Sequence, residues 1–214
     1  MRRGVPALRL SRRLRRARQR HAVRQLSSIR LRFDSTVIAE TVFLDRDGVL
    51  VRDRPDYVKS WAEVEIVPGS FEALGRLSSA GTRVFVATNQ SAVGRGIVPR
   101  GTVDEMHARL AELAIEHGGR IAGFLVCPHR PEDKCACRKP KPGLLFQAQR
   151  EYGVDLGSAC MVGDKLSDAL AAVAAGCDAI LVGDQPAEVT RRYRVAPTLP
   201  DAVDLILETG RLDS

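Results

Sequence analysis

Thr41-Val42-Phe43-Leu44-Asp45-Arg46-Asp47-Gly48 is the stretch from which the fold of this chain is read. Its first part is a short apolar and β-branched run without polar alternation. That suits a strand covered on both faces, as in a parallel sheet. Two carboxylates follow at the i, i+2 spacing. In an extended segment this spacing sends both side chains to one side, and Gly48 lets the chain turn sharply behind them. Paired carboxylates repel each other unless a cation or a proton stands between them. The stretch therefore reads either as a polar turn or as part of a cation site.

The same alternation continues along the chain. Arg83–Thr88, Gly123–Cys127, Ala159–Val162 and Ala179–Val182 read as further strands, nearly all apolar. Between them Pro68–Ala80, Thr102–Gly118, Gly143–Tyr152, Ser167–Ala175 and Pro200–Glu208 read as helices. In the second of these Val103, Met106, Leu110 and Leu113 share one face. Ser167 is the expected N-cap of the fourth, with Gly176 past its end. The alternation predicts an α/β fold with a doubly wound, mostly parallel, Rossmann-like sheet, its chemistry outside the carboxyl ends of the strands. Residues 48–67 are too many for an ordinary βα turn and are expected to form a flap near the site. There is no internal repeat.

Two more strand ends are polar. Thr88-Asn89-Gln90-Ser91 offers a hydroxyl and backbone N–H groups to phosphate oxygens, and Gly163-Asp164-Lys165 is followed one helical turn later by Asp168. Each of these alone reads equally well as a helix cap or turn. Three such strand ends, together with a cationic loop, argue for a site.

That loop is Cys127-Pro-His129-Arg-Pro-Glu-Asp-Lys-Cys135-Ala-Cys137-Arg138-Lys139. Three sulfurs and one imidazole within eleven residues can close a tetrahedral, structural zinc site on Cys127, His129, Cys135 and Cys137. A disulfide is disfavoured by the odd count of five cysteines. Cys160 and Cys177 read as buried small hydrophobes, which fits a reducing compartment. His21, His107 and His117 read as tail or helix-surface residues rather than ligands.

The formal charge of +7 is unevenly placed. Residues 1–33 hold twelve Arg and no acid, so the remaining 181 residues carry +7 − 12 = −5. An acidic domain with few aromatics argues against a nucleic-acid face or a nucleic-acid zinc knuckle. Residues 1–36 are expected to form an Arg-rich extension, and residues 37–214 a single domain. Three readings of the extension stay open: a disordered arm, sequence translated from an early start codon, and a targeting or nucleic-acid arm. No apolar run reaches the ~18 residues of a membrane span. A cytoplasmic monomer is the expectation.

Asp45-Arg-Asp47-Gly, Thr88-Asn-Gln-Ser, Arg138-Lys139-Pro and Gly163-Asp164-Lys165-x-x-Asp168 resemble the four ordered motifs of the haloacid dehalogenase superfamily. The Cys/His insert resembles its branch of heptose-bisphosphate and histidinol-phosphate phosphatases, which carries a small zinc-stapled loop in place of a large cap domain. The resemblance spans about residues 40–185, with two departures: Ala92 where many relatives have Gly, and a short loop between His129 and Cys135.

The resemblance implies that Asp45 is the nucleophile and Asp47 the general acid and base. It implies Mg²⁺ on Asp45, the Asp47 carbonyl and Asp164. Thr88 and Lys139 would hold the transferring phosphoryl group, and Arg138 a second substrate anion. Asn89, Gln90, Ser91 and Lys165 complete the expected substrate contacts. The expected reaction removes the 7-phosphate of D-glycero-D-manno-heptose 1,7-bisphosphate, with histidinol phosphate as the alternative substrate. A reading from another class is a nucleic-acid-binding protein with an Arg-rich arm and a zinc knuckle.

Overall fold

Thr41–Leu44 forms strand β1 of a computed structural model that describes residues 39–208, and all of its residues are buried. The expected extension, residues 1–36, and the expected domain start at residue 37 lie outside the described residues, as does His21. Beside β1 lie β2 (Arg83–Asn89), β3 (Ile121–Cys127), β4 (Ala159–Gly163), β5 (Asp178–Val182) and β6 (Arg194–Ala196). The sheet runs β3-β2-β1-β4-β5-β6, and every pairing in it is parallel. Strand order reverses between β1 and β4, so a crevice is expected where their carboxyl ends diverge. The register aligns Leu44 with Val86 and Val162, which brings Asp45 level with the ends of β2 and β4.

The helices are α1 (Ser70–Ser79), α2 (Ser91–Gly94), α3 (Arg100–Glu116), α4 (Gly143–Tyr152), α5 (Leu166–Ala175), α6 (Ala187–Thr190) and α7 (Leu199–Glu208). Successive β1 residues explain why the run lacks polar alternation. Val42 and Leu44 enter the core that holds Leu74, Met106, Leu110 and Val203 from α1, α3 and α7. Phe43 enters the opposite core, with Leu144 and Leu145 of α4, Ala172 of α5 and the neighbouring Phe85. Cys160 and Cys177 are buried, as expected, and neither forms a disulfide. No helix among the described residues is long and apolar enough to cross a membrane.

Three features differ from the reading of the sequence. The N-cap of α5 is Lys165, not Ser167, because the Asp168 carboxylate accepts from the Lys165 backbone N–H (3.0 Å) and starts the helix earlier. His107 is not a helix-surface residue: it is buried in α3 and stacked on Phe124 of β3, with ring centroids 4.4 Å apart. β6 and the one-turn helices α2 and α6 are too short to carry a periodic signal. The segment after β1, expected to form a flap near the site, is held by backbone hydrogen bonds. Val51 bridges Ile66, Arg52 N–H donates to Glu65 O (2.8 Å), and Val67 N–H donates to Leu50 O (3.0 Å). Val49, Leu50, Val51 and Val58 of this arm are buried.

Candidate active site

A cleft of about 340 Å³ opens at the carboxyl ends of β1, β2 and β4. Asp45, Asp47, Thr88, Asn89, Gln90, Ser91, Arg138, Lys139 and Lys165 all line it, so nearly every expected site residue meets there. The arm after β1 adds Asp53, Arg54, Tyr57 and Val58, which the sequence alone did not single out as site residues.

Lys139 is the pivot of the cleft. Its Nζ lies 3.1 Å from Asp45 Oδ1 and 2.6 Å from Asp168 Oδ1, and it donates to Ala87 O at 2.7 Å. Burial works against this ammonium. The charges of Asp45 and Asp168 outweigh that cost and raise the Lys139 pKa. Asp168 is fully buried and acts on the site through Lys139, a role that the expected site residues did not include. Asn89 brackets the same lysine: its Nδ2 donates to Lys139 O and its Oδ1 accepts from Lys139 N, both at 3.1 Å. The ammonium is thereby placed from two directions.

Asp47 is held from the other side. Arg46 Nη2 donates to Oδ1 (2.8 Å) and Oδ2 (3.0 Å), Arg46 Nε donates to Oδ1 (3.0 Å), and Gln90 Nε2 donates to Oδ2 (2.7 Å). Gln90 Nε2 also reaches Thr88 Oγ1 at 2.8 Å, joining the two strand ends. Burial raises the Asp47 pKa, with the Arg46 charge opposing and Asp45 adding to the rise. A carboxyl shifted upwards is suited to donating a proton.

Asp164 completes a carboxylate cluster: ligand oxygens of Asp45, Asp164 and Asp168 lie within 4.8 Å of one another. Asp164 Oδ1 is buried with no hydrogen-bond partner. Burial, reinforced by Asp45 and Asp168 against the pull of Lys165, pushes the Asp164 carboxyl up to about 7. An orphaned buried carboxylate oxygen of this kind fits a hard divalent cation, which takes oxygen ligands. Gly48 makes room for it. Its φ is +92°, and a Cβ there would stand 2.3 Å from Asp164 Oδ2. Lys165 Nζ pairs with Asp53 at 2.9 Å, linking the α5 start to the arm after β1.

The Cys/His loop follows β3. Its sulfurs lie 3.4–3.6 Å apart, and His129 Nδ1 lies 3.7 Å from Cys127 Sγ and 3.3 Å from Cys137 Sγ. A tetrahedron with zinc–sulfur bonds of about 2.3 Å has edges of about 3.8 Å, close to this spacing and far beyond a disulfide bond. Burial pushes the Cys127 thiol up to about 12, so gathering thiolates here calls for a cation. Lys141 Nζ donates to Lys134 O and Cys135 O (2.8 and 2.7 Å), and Arg138 Nη1 donates to His129 O (3.2 Å). Arg138 thus leaves the Cys/His loop directly into the cleft.

His107 touches this site from behind, its Nε2 lying 3.4 Å from Arg46 Nη1. Burial, with the charges of Arg46 and Arg100, lowers its pKa from 6.5 to about 3. The unfolded chain therefore takes up a proton below about pH 6.5 that the folded site refuses until about 3. Stability should fall as pH decreases through that window, by at most about 1.4 kcal/mol per pH unit from this group. His107→Gln is expected to flatten the acid side of a plot of Tm against pH. Equal slopes for the two proteins between about pH 6.5 and 5 would contradict a buried neutral His107.

Comparison with known proteins agrees with the geometry. A family model described as HAD-hydrolase-like matches residues 136–205. The D-glycero-beta-D-manno-heptose-1,7-bisphosphate 7-phosphatase of Pseudomonas aeruginosa is 49% identical over 141 residues, covering 66% of this chain and 79% of that protein. Its counterpart from Pseudomonas putida is 43% identical over 157 residues, covering 73% and 90%. Among solved structures, the D,D-heptose 1,7-bisphosphate phosphatase of B. bronchiseptica, complexed with magnesium and phosphate, superposes with a TM-score of 0.71 at 37% identity. That match covers 78% of this chain and 98% of the other. With strand-end carboxylates on a parallel sheet, a buried lysine between them and relatives of this closeness, the chain belongs to the haloacid dehalogenase-like hydrolase family.

Proposed function

We propose that this protein is a Mg²⁺-dependent phosphatase that removes the 7-phosphate of D-glycero-D-manno-heptose 1,7-bisphosphate. The observation that carries the reading is Lys139, buried between Asp45 and Asp168 beside Thr88, in a cleft that also holds Arg138 and Arg54. One cationic group is placed to receive the transferring phosphoryl group, and a separate pair lies within the same cleft for a second anion. Arg suits that second role because its planar fork matches phosphate. The names of the relatives point the same way.

In this reading Asp45 attacks phosphorus in line, and the ester P–O bond breaks as an aspartyl-phosphate forms. Asp47 gives its proton to the departing sugar oxygen. It then takes a proton from the water that attacks the aspartyl-phosphate, which releases inorganic phosphate and restores Asp45. Lys139 and Thr88 hold the phosphoryl oxygens, and Gln90 keeps Thr88 and Asp47 in one frame. Asp45, Asp164 and the Asp47 carbonyl would hold Mg²⁺, which when bound offsets the negative charge that carboxylate and phosphate bring together. Zinc on Cys127, His129, Cys135 and Cys137 would be structural, with four protein ligands and no open position.

The test is a comparison of kcat/KM for the heptose bisphosphate and for histidinol phosphate, each with Mg²⁺, with phosphorus NMR to locate the phosphate that leaves. The heptose substrate is expected to be preferred by at least about 10²-fold, since a site built to pair a second phosphate is left unpaired by a monophosphate. A preference for histidinol phosphate would overturn the assignment.

A further inference from the structure

We propose that His107 is a positioning residue for proton transfer: it accepts a hydrogen bond from Arg46 and so sets the guanidinium that orients the Asp47 carboxylate. This rests on the reading of Asp47 as the general acid and base.

Arg46 is buried, and its fork is divided between two neighbours. Nε and Nη2 donate to Asp47, while Nη1 points to His107 Nε2 at 3.4 Å. A guanidinium can only donate, so Nε2 of His107 is the acceptor and its proton sits on Nδ1. The fold holds the ring for this purpose. His107 lies in α3 between two core positions, Met106 and Leu110, and its ring stacks on Phe124 at an interplanar angle of 8°. The low pKa that Arg46, Arg100 and burial impose agrees with a neutral ring.

Without that acceptor, a buried guanidinium N–H is left unpaired, at a cost that favours rotation of the whole planar group. Rotation cannot spare Asp47, because Nη1, Nη2 and Nε are rigidly coplanar. Among the described residues, the only other side-chain donor to Asp47 is Gln90, which grips one carboxylate oxygen. A carboxylate held by one bond rather than by a fork loses its orientation towards the leaving oxygen. His107 reaches Arg46 from behind and is not among the residues that line the cleft, so its effect should be confined to the proton step.

The test is kcat/KM on the full-length protein for two esters of different leaving-group acidity, the heptose bisphosphate and p-nitrophenyl phosphate. The constant kcat/KM reports the steps up to loss of the leaving group, and nitrophenolate departs with little help from an acid. His107→Leu should lower kcat/KM for the sugar ester by about 10-fold or more, part of the range general acid catalysis supplies, and for the nitrophenyl ester by less than about 3-fold. His107→Gln, whose carbonyl can accept from Arg46, should recover most of the loss. Equal losses for both esters, or no recovery with Gln, would sink the proposal.

Asp47→Asn is the control: if it loses equally on both esters, the acid role of Asp47 fails and the role of His107 falls with it. A loss confined to the sugar ester in Asp47→Asn but not in His107→Leu overturns the role of His107 alone. Nitrogen-15 NMR of the wild-type imidazoles needs no disruptive variant, since the chain has only four histidines and the His107→Gln spectrum identifies the signal. A protonated Nδ1 with a bare Nε2 is expected, and a proton on Nε2 would overturn the proposal.

Discussion

Replacing Asp45 with Asn is expected to abolish turnover, by on the order of 10⁴-fold or more, while the protein still folds. An amide is a poor nucleophile and a weaker ligand for a hard cation, so both functions proposed for this side chain are lost together. Survival of the fold follows from how Lys139 is held. Asp45 is only one of its carboxylates, and the closer one, Asp168 at 2.6 Å, stays in place together with the bond to Ala87 O. The ammonium is therefore not stranded in the interior. The isosteric amide can also still accept the Arg46 N–H that Asp45 Oδ1 takes at 2.7 Å. A thermal melt within a few degrees of wild type, with phosphate release at background, is the predicted pair of results. Sustained steady-state hydrolysis by a well-folded Asp45→Asn protein would falsify the aspartyl-phosphate route.

Loss of the Cys/His metal should be the second largest effect, and the structure says where it falls. Lys139 follows Cys137 by two residues, but Asn89 pins its backbone on both sides and Ala87 and Asp168 pin its ammonium. Arg138 has less support. Its shown bond is to His129 O, within the loop that the metal would close. Cys137→Ser should therefore lower zinc content from about one ion per chain, the value for a closed four-ligand site. It should also lower kcat/KM for the bisphosphate by about 10²-fold, the cost of a misplacement near 1 Å. A simple monoester such as p-nitrophenyl phosphate should lose far less, because it does not need Arg138. Chelation of the wild type should act in the same sense and be reversible unless the freed thiols oxidise. Metal analysis that finds no zinc, or full activity on the bisphosphate after verified removal, would refute a metal-set role for this loop.

These effects are tied to strand ends, and that part of the protein is legible in a single sequence. Asp45, Thr88 and Asp164 each follow an apolar run, and in a parallel sheet such runs can only bring their carboxyl ends to one edge. The Cys127–Cys137 spacing is equally local, so four ligands converge whatever the rest of the chain does. Convergence of Arg138 and Lys139 on the same edge follows from their place just after that loop.

Other parts depended on tertiary packing. Periodicity marks Val103, Met106 and Leu110 as the buried face of a helix. It does not reveal that His107, one position along, is buried as well. That follows only once β3 puts Phe124 under the ring and β1 sends Arg46 up to meet it. Asp168 looks like a helix cap in sequence, and it is one, through its bond to Lys165 N–H. Its second role, as counter-ion to a lysine twenty-nine residues earlier, exists only because β4 and the loop after β3 end beside each other. Asn89 reads as a phosphate contact because it stands at a strand end, and the sequence does not reveal that its amide grips the backbone of Lys139. The physical reason is common to all three. Sequence spacing determines what lies along one element, whereas the pairing of a buried charge is decided by whichever distant element folds over it, because an unpaired charge there would be too costly to keep.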